Sequence, residues 1–485
     1  MEGRIVSQQP DLVASASASD PYPERWLAAF VLIGGALMDL IDITIVNVAL
    51  PTIRSDLAAS GTQLQWVVSG YMLAFASTLI VSGSFGDVLG RKRVFLIGVA
   101  AFGAASLAAG LAQSPGQLIA ARVVQGAAAA AMIPQVLATF RAIFAGKERG
   151  QVFGMYGAIL GFASAFGHIL GGLLTSADLF GWSWRTVFLI NVPIALVTLL
   201  AGIRIVPETR DRSAGRPDVV GAALLTAALV AIVYPLLEGR SLGWLSWIWL
   251  VFAAGLAIVA ALWIIEERRQ HTRVAPLLRT RLFRIPAYSA GLTVQLAFAA
   301  GLQGFFLVFA IWLQVGMDFS PLAAGLTTVA FSLGSFLLAG AAIPLALRFG
   351  RLVLSAGGLL LALGTIGVSL GADHVGTGSD PWSIVPGLVV AGAGLSLLII
   401  PLANVVLAAV PSGAAGGASG VFNTAQQFGG ALGIAVIGSV FFAGLEDESF
   451  TDAFTDSLPI VAGLFVASAL LALVLPRTAV EEESF

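Results

Sequence analysis

The chain of 485 residues has no cysteine, two lysines (Lys92 and Lys147) and three histidines, and charged residues make up 11% of it. Each scarcity excludes something. Without cysteine there is no disulfide, no thiolate metal site and no redox dithiol, and His168, His271 and His374 are too scattered to form a metal cluster. Neither lysine sits in the glycine-rich pattern followed by Ser or Thr that cradles a nucleotide phosphate, so no ATP motor and no cofactor are expected. Nor is an enzyme or a nucleic-acid partner. Long polar stretches are scarce as well. The longest, residues 1 to 25, has an Ala/Ser run without a basic flank or small-residue cleavage site, and reads as a disordered, retained tail rather than a signal peptide.

What fills the chain is apolar: 58% of residues are hydrophobic. They fall into fourteen stretches, residues 26–50, 62–84, 94–112, 116–140, 150–174, 186–206, 218–237, 246–266, 289–313, 322–346, 352–371, 383–408, 416–442 and 458–476. A hydrocarbon core of ~30 Å takes about 20 helical residues to cross. Backbone polar groups in lipid must be satisfied within the segment, so the stretches are helices. The fold class is an all-α membrane protein with fourteen transmembrane helices, and the lipid bilayer is its first partner.

Orientation follows from the basic residues. With the N-terminus in the cytoplasm, all but four of the 25 Lys and Arg fall on cytoplasmic segments, the exceptions being Arg54, Arg185 and Arg240 outside and Arg122 within the membrane. The positive-inside rule therefore places both termini in the cytoplasm of an inner or plasma membrane. The acidic run Glu446, Asp447, Glu448, Asp452 and Asp456 then lies in an outward-facing loop.

GSFGDVLGRKR at residues 83–93 closes the second span, and a weaker echo, IPLALRFGR at 343–351, closes the tenth. The echo keeps the basic turn but has Leu347 where the first copy has Asp87. Paired signals of this kind indicate two six-helix halves related by duplication. Spans seven and eight are left as a central insert between basic loops at 207–217 and 267–284. With IDITIVNVALP at 41–51, RVVQG at 122–126, GHILGG at 167–172 and WSWRTVFLINVP at 182–193, the sequence resembles the major facilitator superfamily over residues 26–476. Within it, the resemblance is to the fourteen-span drug:proton antiporters of quaternary-ammonium and multidrug resistance.

The resemblance implies the major facilitator fold: an N-terminal half at 26–206, two inserted helices with cytoplasmic linkers at 207–284, a C-terminal half at 285–476 and a cytoplasmic tail at 477–485. It also implies alternating access driven by a proton gradient, with small molecules and protons as partners. Two positions depart from the family pattern. His168 follows Gly167 where such antiporters have Gly-Pro, and Gln426 and Gln427 stand where helix 13 often carries Arg.

Four ionisable side chains lie well inside the hydrocarbon: Asp39, Asp42, Arg122 and His168. A charge at the centre of a membrane helix costs roughly 2.5–3.5 kcal/mol even on the lenient insertion scale, so each is a functional candidate. At about 1.5 Å per residue, Asp42 lies some 12 Å below the outer end of its span, and Arg122 and His168 about 9 Å below theirs. Asp42 and Arg122 are thus at a depth where they can pair. In the resembled family such an Asp and Arg are taken to serve proton coupling, and a permanent salt bridge locking two helices is the structural alternative. Asp39, three residues before Asp42, shares its helix face, so the two carboxylates are not expected to be ionised together. It stands as a substrate contact, a sharer of the proton or a hydrogen-bonded structural residue. His168 either joins the proton path or bonds across a helix interface.

Gly83, Asp87, Gly90 and Arg91 at the membrane edge read as a conformational latch, and Gly167, Gly171 and Gly172 as the helix 5 motif that lets a neighbour approach closely. Gln295, Gln303, Asn423 and Gln426 are candidate uncharged contacts in a substrate cavity, or interhelical hydrogen-bonders. The function expected is proton-coupled export of a lipophilic small molecule, neutral or monocationic, such as a drug, antibiotic or toxic metabolite. A proton-coupled importer or metabolite permease on the same fold is the rival. A non-transporting sensor would need a soluble reception module that neither tail supplies.

Overall fold

The computed structural model describes residues 22–210, 218–269, 279–375, 380–411 and 414–476. Fourteen long helices follow one another: α1 (Arg25–Leu57), α2 (Gly61–Leu89), α3 (Arg91–Gly110), α4 (Pro115–Ile143), α5 (Gly146–Ala177), α6 (Arg185–Ile205), α7 (Val219–Glu238), α8 (Ser246–Arg269), α9 (Pro286–Gly316), α10 (Pro321–Phe349), α11 (Arg351–Ala372), α12 (Val385–Ala408), α13 (Ala415–Gly444) and α14 (Phe450–Ala472). Thirteen are long and apolar enough throughout to span a membrane. The other, α5, is a helix of 32 residues that contains the expected apolar stretch 150–174.

The helix starts at one end of the bundle are written in short polar residues. Ser60 and Gln63 form a reciprocal capping box at α2, Ser114 precedes Pro115 at α4, Ser320 precedes Pro321 at α10, and Ser449 caps α14. Each hydroxyl accepts an orphan N–H of the first turn, and proline at the first position has no N–H to waste. This is the far end. The opposite, basic end carries Arg91–Arg93, Arg149, Arg204, Arg284, Arg348 and Arg351.

Caps also correct three expected boundaries. The last helix begins at Phe450, not residue 458, because Ser449 accepts the Asp452 N–H and an acid in the first turn suits the helix dipole. It ends at Ala472. Asp452 and Asp456 therefore lie in a helix, where a loop was expected. α1 runs on through Pro51 to Leu57. The expected disordered tail is ordered from residue 22, since the Tyr22 hydroxyl donates to the Ile205 carbonyl at 2.8 Å and Arg25 grips Glu148 of α5 at 2.8 and 2.9 Å. Residues 1–21 and 477–485 of the two tails, His271, and parts of both basic loops lie outside the described residues.

α1–α6 pack as one half and α9–α14 as the other, with α2, α3 and α4 mutually packed in the first and α10, α11 and α12 in the second. The duplicated turns match: Gly90 between α2 and α3 and Gly350 between α10 and α11 both take positive φ, 108° and 58°. Close approach decides the interior of each half. At Gly126, where α4 crosses α2, any side chain would overlap the Tyr71 carbonyl, so this glycine sets the separation at which Arg122, one turn away, enters the bundle. At the far end, Asp56 of α1 accepts from Trp184 at 2.9 Å and Arg185 at 2.6 Å, tying α1 to α6.

The halves meet along α2–α13 and α5–α10, and they meet unevenly. Toward the far end Gln65 donates to the Ile434 carbonyl at 2.9 Å, Gln314 to the Val48 carbonyl at 2.9 Å, and the Leu322 N–H to Ser176 at 3.1 Å. The last link toward the basic end along α2–α13 is Thr424 to the Ala76 carbonyl, 3.1 Å. Beyond it, Gly83 of α2, Gly150, Gly154 and Gly157 of α5, Gly340 of α10 and Gly416, Gly417 and Gly420 of α13 all face open space. Among the described residues, the hydrogen bonds between the halves thus gather toward the far end.

Substitution at the α2–α4 crossing should be costly, and substitution at a glycine that faces open space should not. Gly126→Leu is expected to lower the thermal unfolding midpoint of the detergent-solubilised protein, by the 1–3 kcal/mol or more of an overpacked core, while Gly154→Leu leaves it near that of the parent. Equal midpoints for the two variants would contradict the packing assigned to Gly126.

Candidate functional site

The i, i+3 spacing of Asp39 and Asp42 puts both on one face of α1, and the same spacing puts Arg122 and Gln125 on one face of α4. These faces meet inside the first half. Arg122 Nη1 is ion-paired to Asp42 Oδ2, and both side chains are sealed, with exposures of 1% and 0%. The other Asp42 oxygen accepts from Gln125 Nε2 at 2.8 Å and Asn191 Nδ2 of α6 at 3.0 Å. Arg122 also donates to Gln125 Oε1 at 2.6 Å and, through Nε, to the Val67 carbonyl at 3.1 Å. Gln125 reaches Ser106 of α3 at 2.8 Å. Helices α1, α2, α4 and α6 thus bond within or directly to the buried pair, and α3 joins them through Gln125.

Tyr71 of α2 extends the network. Its ring lies under the Arg122 guanidinium, 4.2 Å from the centroid, and its hydroxyl donates to Asp39. Phe188 of α6 closes the other side at 5.8 Å. Asp39 is 8% exposed whereas Asp42 and Tyr71 are at 0%, so Asp39 is the least buried of the three. An isolated charge in hydrocarbon is expensive, but a paired and fully hydrogen-bonded one is retained, and removing a partner then costs more than the pair contributes. The arrangement can hold, release or exchange a proton on a carboxylate while a fixed cation stays beside it.

The remaining candidates separate. His168 is buried, and its ring lies 5.3 Å from that of Phe306 in the opposite half, while its carbonyl lies against Gly325 of α10. The helix 5 glycines divide their roles: side chains at Gly167 or Gly171 would overlap Thr44 or Ile45 of α1, and one at Gly172 would overlap the start of α10. α5 is thereby the helix that both halves share.

At the basic end, Arg91 is ion-paired with Asp87 at 2.8 Å. The backbone N–H of Arg91 donates to the Thr209 carbonyl at 3.0 Å, that of Lys92 to Glu208 at 3.2 Å, and Glu208 crowds Gly90. Gly83 faces open space. In the second copy Arg351, lacking an acid opposite, donates to the Leu475 carbonyl at 3.1 Å. Among the cavity candidates, Gln303 packs beside Met72 and Gly430, and Asn423 bonds its own helix at Ser419, 3.0 Å. Gln426 is half-buried on the same helix. Gln295 is fully buried, and its amide makes no hydrogen bond among the described residues.

Sequence reasoning did not single out Tyr71, Ser106, Gln125 or Asn191. Two stood inside quoted motifs, Gln125 in RVVQG and Asn191 in WSWRTVFLINVP, and Gln125 carried a usable signal in its i+3 spacing from Arg122. Tyr71 and Ser106 carried none.

A membrane-spanning bundle of two related halves, built around a sealed acid–guanidinium network, is the architecture of a membrane transporter. The chain belongs to the Major Facilitator Superfamily, whose sequence model matches residues 32–219 and 214–434. It is 40% identical to a probable actinorhodin transporter of Streptomyces coelicolor over 90% of this chain and 75% of that one. It is 34% identical to a puromycin resistance protein of Streptomyces alboniger, over 99% and 98%, and 34% identical to a cephamycin export protein of Amycolatopsis lactamdurans, over 90% of each. A crystal structure of a peptide transporter of the POT type superposes with a TM-score of 0.67 at 15% identity, covering 92% of this chain and 93% of that one, a likeness of fold.

Removing one member of the buried pair should be worse than removing both. Asp42→Ala, which leaves Arg122 without its carboxylate, is expected to cost about 3–5 kcal/mol. The double variant Asp42→Asn/Arg122→Gln should be more stable than the sum of its single substitutions, and Tyr71→Phe should cost only about 1 kcal/mol. Thermal unfolding of the parent, Asp42→Asn, Arg122→Gln, their double variant, Asp42→Ala and Tyr71→Phe in one detergent checks this, and simple additivity would mean that the pair is not coupled.

Proposed function

We propose that this protein is a proton-coupled antiporter that exports a lipophilic small molecule of the antibiotic or drug class, working by alternating access between its two halves. The observation that carries the reading is the sealed network of Asp42, Arg122, Gln125 and Asn191, a titratable carboxylate held beside a fixed cation in a chain whose similar proteins are named for antibiotic transport, resistance or export. Asp42 takes up and releases the proton. Arg122 holds its charged form when the two are paired, and gives it up when rearrangement of the bundle draws α1 and α4 apart. Asp39, the least buried member, contacts a cationic substrate or shares the proton. Gln303 and Gln426 face the same substrate path, and Asp87 with Arg91 latches the basic end.

The distribution of Lys and Arg supports a cytoplasmic basic end, which puts the hydrogen-bonded far end of the seam on the outer side. One proton moved through about 100 mV supplies ~2.3 kcal/mol, enough for a substrate gradient of roughly forty- to fifty-fold. His168 acts as a packing residue at the seam between the halves, where Phe306 and Gly325 meet it.

In inverted vesicles with an imposed pH gradient, Asp42→Asn is expected to reach the membrane at normal levels and to lose uphill accumulation of a lipophilic dye or antibiotic that the parent transports. Retained uphill transport would overturn the assignment, and accumulation driven in the opposite sense by the parent would make it an importer. Asp39→Asn is expected to change substrate range more than coupling. His168→Gln should leave the pH profile of transport unchanged, and a displaced profile at normal expression would move His168 into the coupling site. A reporter fused after Phe485 should be active on the cytoplasmic side, and a tag beside Glu446 should be labelled from outside.

A further inference from the structure

The helices α7 and α8 have no counterpart in either half, and the transport reading above gives them no role. Their placement supplies one. α7 packs against α2 on one side and α13 on the other, and its far end is bonded to both. Trp66 of α2 donates its indole N–H to Glu238 at 2.9 Å. Ser439 of α13 donates to the Leu236 carbonyl at 3.1 Å, and Arg240 in the α7–α8 turn is ion-paired with Glu446 just beyond α13.

The tip is stiff. Ser241 donates to the second Glu238 oxygen at 2.8 Å, and Trp244, at φ 51°, stacks on Trp249 with centroids 5.2 Å apart. Tyr234 stands between Trp66 and Trp247, 6.3 Å from each. Below the tip lies a cavity of about 530 Å³ lined by Arg54, Gln65, Arg240, Ser439 and Phe442 among others, so the bonds across this junction sit beside a polar space.

α2 and α13 belong to opposite halves and touch at this point, with Gln65 bonded to the Ile434 carbonyl at 2.9 Å and Gly61 against the Phe442 ring. Opening the far side requires them to separate. A stiff body bonded to both cannot follow both.

We propose that the tip of the α7–α8 hairpin is a strap across the far-side gate. It holds α2 to α13 while that side is closed, and one of its attachments must break before that side opens. The attachment that breaks is the one to α13. It consists of one hydroxyl bond and an ion pair whose Glu446 side chain is 72% exposed, and exposed pairs are weak. The attachment to α2 combines an indole–carboxyl bond with aromatic packing on Tyr234. The strap therefore travels with α2. This rests on alternating access and on nothing about Asp42, so the two readings fail separately.

The absence of cysteine from the chain makes the test direct. Spin labels on Ser55→Cys, at the far end of α1, and Asp447→Cys, beyond α13, report the separation of the halves by electron–electron distance measurement in the full-length protein in lipid nanodiscs. Neither position belongs to the strap. Ser439→Ala, and separately Arg240→Gln, should raise the ratio of the longer-distance to the shorter-distance population. The two together should raise it by about tenfold, the change expected for loss of a hydrogen bond in a two-state equilibrium. Thr451→Ala, which removes a bond to Trp312 inside the second half, should leave it unchanged and controls for general loosening. Ser439→Ala deletes a single surface-side hydroxyl and is not expected to disturb folding, so a null result there is informative. A distance distribution unchanged in all strap variants, or changed equally by Thr451→Ala, overturns the proposal.

Discussion

The cost of a charge in hydrocarbon governs this molecule. Asp42 and Arg122 are tolerated because each neutralises the other and because Gln125, Asn191 and the Val67 carbonyl take up further hydrogen-bonding capacity, with Ser106 holding Gln125 in place. That requirement reaches outward. To bring four helices within bonding distance of one pair and a fifth against Gln125, the first half must pack closely enough that Gly126 touches the backbone at Tyr71, and the ring of Tyr71 must fit beneath the guanidinium. A network that holds a charge only while complete is also one whose energy changes sharply when a proton or a displaced helix alters one member.

Among the described residues, the second half contains no such centre. Its equivalent turn keeps the positive-φ glycine, Gly350, and the arginine, Arg351, but Leu347 replaces the acid and Arg351 turns to a helix-end carbonyl. Duplication preserved the backbone device and let the charge pair lapse. The two halves are therefore alike as packing units and unlike as chemical ones, with the intramembrane acids confined to α1. Gln295, Gln303 and Gln426 offer hydrogen bonds without charge on the other side of the seam, which suits a lipophilic substrate better than a strongly charged one.

The seam itself is uneven in a way that follows from residue size. α5 meets α1 through Gly167 and Gly171 and meets α10 through Gly172 and Gly325, so the same helix approaches both halves without bulky side chains between them. Toward the basic end its glycines meet nothing. Smooth, small-residue surfaces hold helices together by close contact alone, which permits separation at one end while contact persists at the other. The polar bonds gather toward the far end, along Gln65, Gln314 and Ser176 and at the tip of the α7–α8 hairpin.

Much of this was legible in the chain. Fourteen apolar stretches separated by basic or capped turns determine the number of spans and their order, because lipid leaves the backbone no alternative to helix. Charge in an apolar segment marks itself, which is how Asp39, Asp42, Arg122 and His168 were found. What the sequence did not carry was partnership. Tyr71 and Ser106 are ordinary residues in apolar helices, and only the crossing of α2 and α3 over α4 makes them part of the site. His168 matched Asp42 in depth along its helix, yet rotation about the α5 axis turned its ring to Phe306. Spacing along a helix fixes depth and face; which neighbour that face meets is decided by how the helices pack, and packing is a property of the whole bundle.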